Sequence, residues 1–456
     1  MNRETTERLI NKLLSTGADF SEIYEEKTEK KTYGYLDSKL DKISYSSIDG
    51  VGLRIAKNNE IYYGSTNNID EVDALADELI SNVNEPIIYK DIKLDELEKY
   101  EMKCNLIKDS DESIIKEYMS SLDKKVRSKD SRISQVGITI MFDNKDITIA
   151  NYHGLYKNEK RHYACAYIHI MFKDKDLNST SYISWHINGN LELLDKDLDE
   201  LIDNAVKYGI DKLYAKNCVG KVMPVILAKG EGAVIFHEAC GHAMEASATS
   251  KNQSVLAGKI GEKVASDKVT IIDDGSLEKK WGSTIIDDEG IPTRKNIMIE
   301  NGILKNNFND EINNRLLNLE LTGSSRRQNY RFAPVSRMNN TYLKPGTDKI
   351  EDMIKSIDFG LYAVELGGGS VDTETGKFNF ACDTAYMIRD GKIAECVKGA
   401  TLIGNALDIL KNVEMVSDDF AFTGGNCGAS SGWVHVTMGQ PTIKISNILV
   451  GGESDD

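Results

Sequence analysis

The sequence predicts an α+β protein in two parts. Residues 1–215 read as an N-terminal α+β domain with antiparallel strands and helices, and 216–456 as a β-rich C-terminal domain that carries a metal-binding helix. Three observations predict this. In the first part, segments with apolar residues at helical spacing flank short alternating runs joined by turn residues, so strands pair as hairpins rather than through βαβ crossovers. Beyond residue 220 the pattern is mostly strand and turn, with one long apolar-periodic helix over 233–248. No Pro- or Gly/Ser-rich linker separates the parts. The boundary falls within 211–220, after a charged helix and before an apolar strand opening at Val222.

Taken in order, Leu9, Ile10, Leu13 and Leu14 mark a helix over 4–16, with Gly17 as its stop. Short β-rich runs follow at 32–36, 42–45, 51–55 and 61–64, and Asp49-Gly50 and Asn58-Asn59 read as turns between them. Helices are predicted over 69–83, 110–126 and 195–208, with three or four strands between 133 and 187. His153, His162, His169 and His186, in or beside those strands, read as structural. After the strand 222–228, the turn Gly230-Glu231-Gly232 opens the helix 233–248. Later strands fall at 268–273, 377–381, 413–420, 433–438 and 442–449, and short helices at 349–357 and 404–412. Ile299-Glu-Asn-Gly-Ile-Leu304 and Met387-Ile-Arg-Asp-Gly-Lys-Ile393 both spell two-residue hairpins and raise the question of an internal repeat. The glycine clusters 367–369, 424–425 and 451–452 read as turns, since none stands in the strand-to-helix context of a phosphate loop.

Composition narrows the function. A formal net charge of −16 argues against nucleic acid as a partner, which needs a basic patch, and against docking on anionic membranes. The charged N-terminus lacks the apolar stretch of a signal peptide, and there is no run of about 18 apolar residues to span a bilayer. Seven scattered cysteines with no Cys-x-x-Cys pair read as reduced thiols, which implies a cytoplasmic location.

The chemistry gathers at Phe236-His-Glu-Ala-Cys-Gly-His-Ala-Met-Glu245, which holds two of only seven histidines. Imidazole nitrogens suit zinc, and a carboxylate beside them can act as general base on a metal-bound water. The familiar zinc-protease spelling places its histidines at i and i+4. Here His242 follows His237 at i+5, which in a regular helix is about 140° round the axis rather than about 40°. The two rings converge only if the helix is deformed, and a one-residue π-bulge near Cys240-Gly241 would do it. A catalytic zinc usually takes three protein ligands. Cys240, Glu245, Cys427 and His435 are the candidates for the third, with Cys427 slightly ahead because a glycine-rich stretch can deliver it from afar. Glu245 could equally sit behind a ligand and fix a histidine tautomer. Arg326, Arg327, Tyr330 and His435 are candidates for stabilising an oxyanion.

These residues resemble the metal motif of the TldD/PmbA family of metalloproteases. The resemblance continues through Gly261-Glu-Lys-Val-Ala-Ser-Asp-Lys-Val269, Asp288-Glu-Gly-Ile-Pro292, Thr322-Gly-Ser-Ser-Arg-Arg327, Asn340-Thr-Tyr342, Lys398-Gly-Ala-Thr-Leu-Ile-Gly404 and Gly439-Gln-Pro-Thr442. It covers most of 220–452. Because His-Glu-x-x-x-His is intact, the chain is similar to the TldD type rather than the PmbA type. The resemblance implies zinc on His237, His242 and Cys427, with Glu238 as acid/base and Cys240 a small helix residue. It also implies an enclosed active site, unfolded or leader peptides as substrate, and a PmbA-type paralogue as heterodimer partner, or else a homodimer. Two other readings stay open: a metal amidase acting on small amides, and a non-catalytic binding or regulatory subunit.

Overall fold

The computed structural model describes residues 1–83, 91–102, 112–189 and 198–452. The first part runs α1 (Arg3–Leu14), β1 (Phe20–Leu36), β2 (Lys39–Lys57), β3 (Glu60–Thr66), α2 (Val72–Ile80), β4 (Glu98–Glu101), α3 (Glu112–Arg127), β5 (Ile133–Asn151), β6 (Tyr156–Asp174), β7 (Leu177–Asn188) and α4 (Leu198–Leu213). Its strands form one sheet in the order β3-β2-β1-β5-β6-β4, with β7 also on β6. The long pairs β1–β2, β1–β5, β5–β6 and β6–β7 are all antiparallel. Helix α1 starts where the Asn2 side chain accepts from the Thr5 N–H, and it buries Leu9, Ile10 and Leu13. Helices α3 and α4 bury Met119, Leu122, Ile202 and Ala205 in a second core with Ile138, Ile140, Ile168 and Ile170 of the sheet.

The second part continues with β8 (Lys216–Asn217), β9 (Lys221–Leu227), α5 (Ala233–Phe236), α6 (Ala246–Thr249), β10 (Ile271–Asp274), β11 (Lys295–Glu300), β12 (Ile303–Leu304), α7 (Glu311–Leu317), β13 (Ser325–Arg326), β14 (Val335–Ser336) and β15 (Asn340–Leu343). It ends with α8 (Ile350–Lys355), β16 (Phe359–Val371), β17 (Lys377–Arg389), β18 (Lys392–Lys398), β19 (Thr401–Asn405), α9 (Ala406–Lys411), β20 (Val413–Val416), β21 (Ala421–Ala429), β22 (Gly432–Gln440) and β23 (Ile443–Gly451). A six-stranded sheet, β12-β11-β10-β15-β22-β21, and an eight-stranded sheet built round β16, β9, β23, β19 and β17 share one core. Ile235 of α5 and Phe236, Ala239, Ala243 and Met244 of the motif pack into it, with Leu227 from one sheet and Val434 and Val436 from the other. The mixed helices and sheets are those of an α+β protein.

Several elements depart from the sequence expectation. Strand β2 runs straight through Asp49-Gly50, which is not a turn. A Cβ on Gly50 would lie 2.4 Å from the Tyr330 ring, so that glycine serves close approach rather than chain reversal. The reversal occurs earlier, at Asp37-Ser38, with φ of 45° and 63°. Gly367 to Gly369 lie inside β16, and Gly424 and Gly425 inside β21, so the stretch before Cys427 is a strand and not a loop. Helix α7 was not expected. The strand expected over 413–420 stops at Val416. Residues 110–111 and 195–197, expected to begin helices, lie outside the described residues. The two similar hairpins turn alike, at Asn301-Gly302 and Asp390-Gly391, but β11–β12 and β17–β18 belong to different sheets.

Buried ion pairs join the two parts. Arg54 of β2 meets Glu22 and Glu289, both at 2.6 Å, and Arg161 of β6 meets Asp288 at 2.7 Å. In return, Arg327 reaches Glu22 and covers the Tyr24 ring at 4.1 Å.

Candidate metal centre

The helix expected over 233–248 is broken in the middle. After α5, residues His237–Gly241 form a π turn, closed by the His242 N–H donating to His237 O. A tight 3₁₀ turn over His242–Met244 follows, and the chain becomes extended at Glu245 before α6. A Cβ on Gly241 would lie 2.0 Å from Met338 Sδ, so the glycine lets that methionine seat where it does against the widened turn. The extra residue swings His242 beside His237, and their ring centroids are 5.3 Å apart.

Strand β21 brings Cys427 to the same point. Its Sγ lies 3.1 Å from His237 Nε2 and 3.1 Å from His242 Nε2. The three donor atoms all fall within 4.8 Å of one another. A tetrahedral zinc would separate a bound nitrogen and sulfur by roughly 3.5 Å, so the observed spacing needs to open by only a few tenths of an ångström. Burial alone pushes the Cys427 thiol up, but the two imidazoles beside it more than reverse this and hold it down to about 3. This environment favours the thiolate, the form that ligates metal. Burial pulls His242 down, while Glu245 and Cys427 raise it well above the usual histidine range. The donor set of one thiolate and two imidazoles fits zinc in chemistry as well as spacing.

Around the three donors, Glu238 Oε2 lies 3.7 Å from His242 Nε2, on a side chain still partly open to solvent. Glu245 Oε1 lies 3.1 Å from His242 Nδ1. Cys240, between the histidines, is buried in the apolar core, where burial pushes its thiol up. Sequence reasoning missed Arg337. This fully buried side chain contacts Glu245 Oε1 at 3.4 Å and donates to Cys427 O at 2.7 Å. Nothing in the local spacing links residues 245, 337 and 427; only the fold does.

The four oxyanion candidates are engaged elsewhere. Arg326 donates to Met338 O, Asn339 Oδ1 and His435 O. Arg327 is committed to Glu22 and Asp288 O. Tyr330 is buried against Gly50, and its hydroxyl accepts from Arg331. His435 pairs across the ribbon with Asn426, whereas Cys427 pairs with Val434, so His435 faces the other side of the β21–β22 ribbon. There it stacks on Trp281 at 3.9 Å, lining a cavity of about 180 Å³ between the ribbon and the first sheet. Arg326 and Arg327 line the same cavity.

A helix that carries two histidines and a glutamate, met by a thiolate within a two-sheet core, defines a metallopeptidase when set beside known proteins. Residues 220–452 match the PmbA/TldA metallopeptidase C-terminal domain, and 21–83 match domain 1 of the same family. A metalloprotease TldD homolog of Buchnera aphidicola is 36% identical over 336 residues, covering 72% of this chain and 70% of that protein. A zinc metalloprotease TldD homolog of Saccharolobus solfataricus is 27% identical, covering 98% of this chain and 99% of its own length. Among solved structures, TldE from Thermococcus kodakarensis shares the fold with a TM-score of 0.76 at 23% identity, covering 98% of this chain and 99% of that one. The chain belongs to the TldD/PmbA family of metallopeptidases.

Proposed function

We propose that this chain is a zinc-dependent peptidase of the cytoplasm that hydrolyses unfolded or leader peptides. His237, His242 and Cys427 hold the metal, and Glu238 is the catalytic acid/base. The observation that carries the reading is the meeting of three donors of the right chemistry beside a solvent-reaching carboxylate. A zinc ion held there supplies Lewis acidity to the scissile carbonyl and to the attacking water. Glu238 accepts the water's proton on its carboxylate and delivers it to the leaving amine. Cys427 enters as thiolate, and Glu245 keeps His242 turned toward it. The strand that bears Cys427 is the outermost of its sheet, which supports binding of an extended peptide through backbone hydrogen bonds. The division of the chain near residue 215 belongs to the same proposal, with the first part serving substrate and partner.

A PmbA-type paralogue or a second copy would complete the assembly. Supporting this, the β1–β2 ribbon carries Leu36, Ile43 and Tyr45 exposed, and β3 covers the outer edge of β2 only from Val51 onward. The decisive experiment follows digestion of casein fragments and of a panel of small N-acyl amides by the zinc-loaded protein. Peptide cleavage is expected from the wild type and a loss of about 10²- to 10⁴-fold in Glu238→Gln with metal retained. Equal digestion by both, or activity confined to the small amides, would defeat the reading.

A further inference from the structure

We infer that Arg337 is the positioning residue that locks the helix-borne half of the metal site to its strand-borne half. The inference rests on the reading that His237, His242 and Cys427 hold a metal. Its own basis is the way one buried guanidinium is divided. Nη2 donates to Cys427 O at 2.7 Å. Nη1 donates to Ser431 Oγ and Gly432 O, both at 3.1 Å, and so grips the turn that joins β21 to β22. Nε lies 3.4 Å from Glu245 Oε1, the oxygen that also stands 3.1 Å from His242 Nδ1.

The side chain therefore spans both elements that bring ligands. A buried guanidinium is stabilised by a nearby carboxylate, and Glu245, itself 6% exposed, is the one Arg337 meets. Held there against Arg337, Glu245 turns Oε1 to His242 Nδ1 and favours the tautomer with its proton on that nitrogen. That leaves the Nε2 lone pair directed at the site. On its other arm, Arg337 fixes the backbone of Cys427, and so the approach of its sulfur. The next residue, Met338, seats against Gly241 and braces the π turn from the same segment. Lysine cannot replace this arrangement, because one planar fork hydrogen-bonds Cys427, Ser431 and Gly432 through its two terminal nitrogens while Nε faces Glu245.

The test measures zinc affinity of the full-length protein by chelator competition, and the absorption bands of the cobalt-substituted protein. Arg337→Lys, Arg337→Gln, Glu245→Gln and the Arg337→Gln/Glu245→Gln pair are compared, with melting temperature followed in parallel. Each single substitution is expected to weaken zinc binding about 10- to 100-fold and to alter the cobalt bands. The pair should bind no more weakly than the worse single, because both changes cut one linkage. A lowered melting temperature with unchanged zinc affinity, or losses that multiply in the pair, would overturn the inference. If Arg337→Gln does not fold, Arg337→Lys and Glu245→Gln decide: wild-type affinity in both overturns it. Failure of the underlying reading looks different, since then the wild type takes up no zinc, or Cys427→Ser binds it equally well.

Discussion

At Gly241 one hydrogen atom in place of a methyl group leaves room for the Met338 side chain against the metal helix. Gly241→Ala would place a Cβ 2.0 Å from Met338 Sδ. The expected cost is about 1–3 kcal/mol, read as a lower melting temperature together with weaker zinc uptake. Adding Met338→Ala should recover part of both; no recovery would mean the glycine is needed for another reason. The local part of the site was legible in the sequence because His237, Glu238 and His242 are neighbours, and the i+5 spacing demanded the deformation that is observed. Cys427 was less so. Its identity as a partner of residues about 190 positions earlier came from the family resemblance, not from any spacing. Arg337 was invisible, since a buried arginine looks like a surface arginine until the chain is folded. Nor do the oxyanion candidates meet the three donors: Arg326, Arg327 and His435 line a cavity on the other side of the ribbon. Arg326 and Arg327 are candidates by residue type alone, and the fold commits them to carbonyls and to Glu22.

Elements were legible where periodicity and turn chemistry agreed. Helix α1 and the hairpin turns at Asn58-Asn59, Asn301-Gly302 and Asp390-Gly391 lie where expected. They failed where glycine has a second use. Asp49-Gly50 has the spelling of a hairpin turn, but β2 passes through it in register with Lys27 and Glu26 of β1, and the glycine leaves room for the Tyr330 ring. Gly50→Ala is therefore expected to destabilise the protein by about 1–3 kcal/mol, although it adds strand propensity. A denaturation midpoint equal to that of wild type would show that the ring can move aside. The glycines of β16 and β21 misled in the same way: strands rich in glycine have no side-chain alternation to reveal them.

Over the whole molecule, the junction between the first sheet and the β21–β22 ribbon is built on neutral imidazoles. Burial pushes His186 down to about 4, and burial with nearby Lys145, Lys30 and Arg326 pushes His435 well below its usual range. Both rings pack against Trp281. The unfolded chain accepts these protons near pH 6.5 and the fold does not. Stability from this junction is therefore complete above about pH 6.5 and lost as pH falls toward about 4. Melting curves across that range should show the decline, and His186→Asn should make it shallower; an unchanged slope would remove His186 from the cause. The distance along the chain between the site's two halves has one more consequence. During synthesis the His-Glu-x-x-x-His helix leaves the ribosome long before β21 exists, so a nascent chain holds two donors and not three. On the proposed reading, proteolytic capacity waits for the docking of a late strand, and an unfinished chain has no working blade to turn on itself or its neighbours.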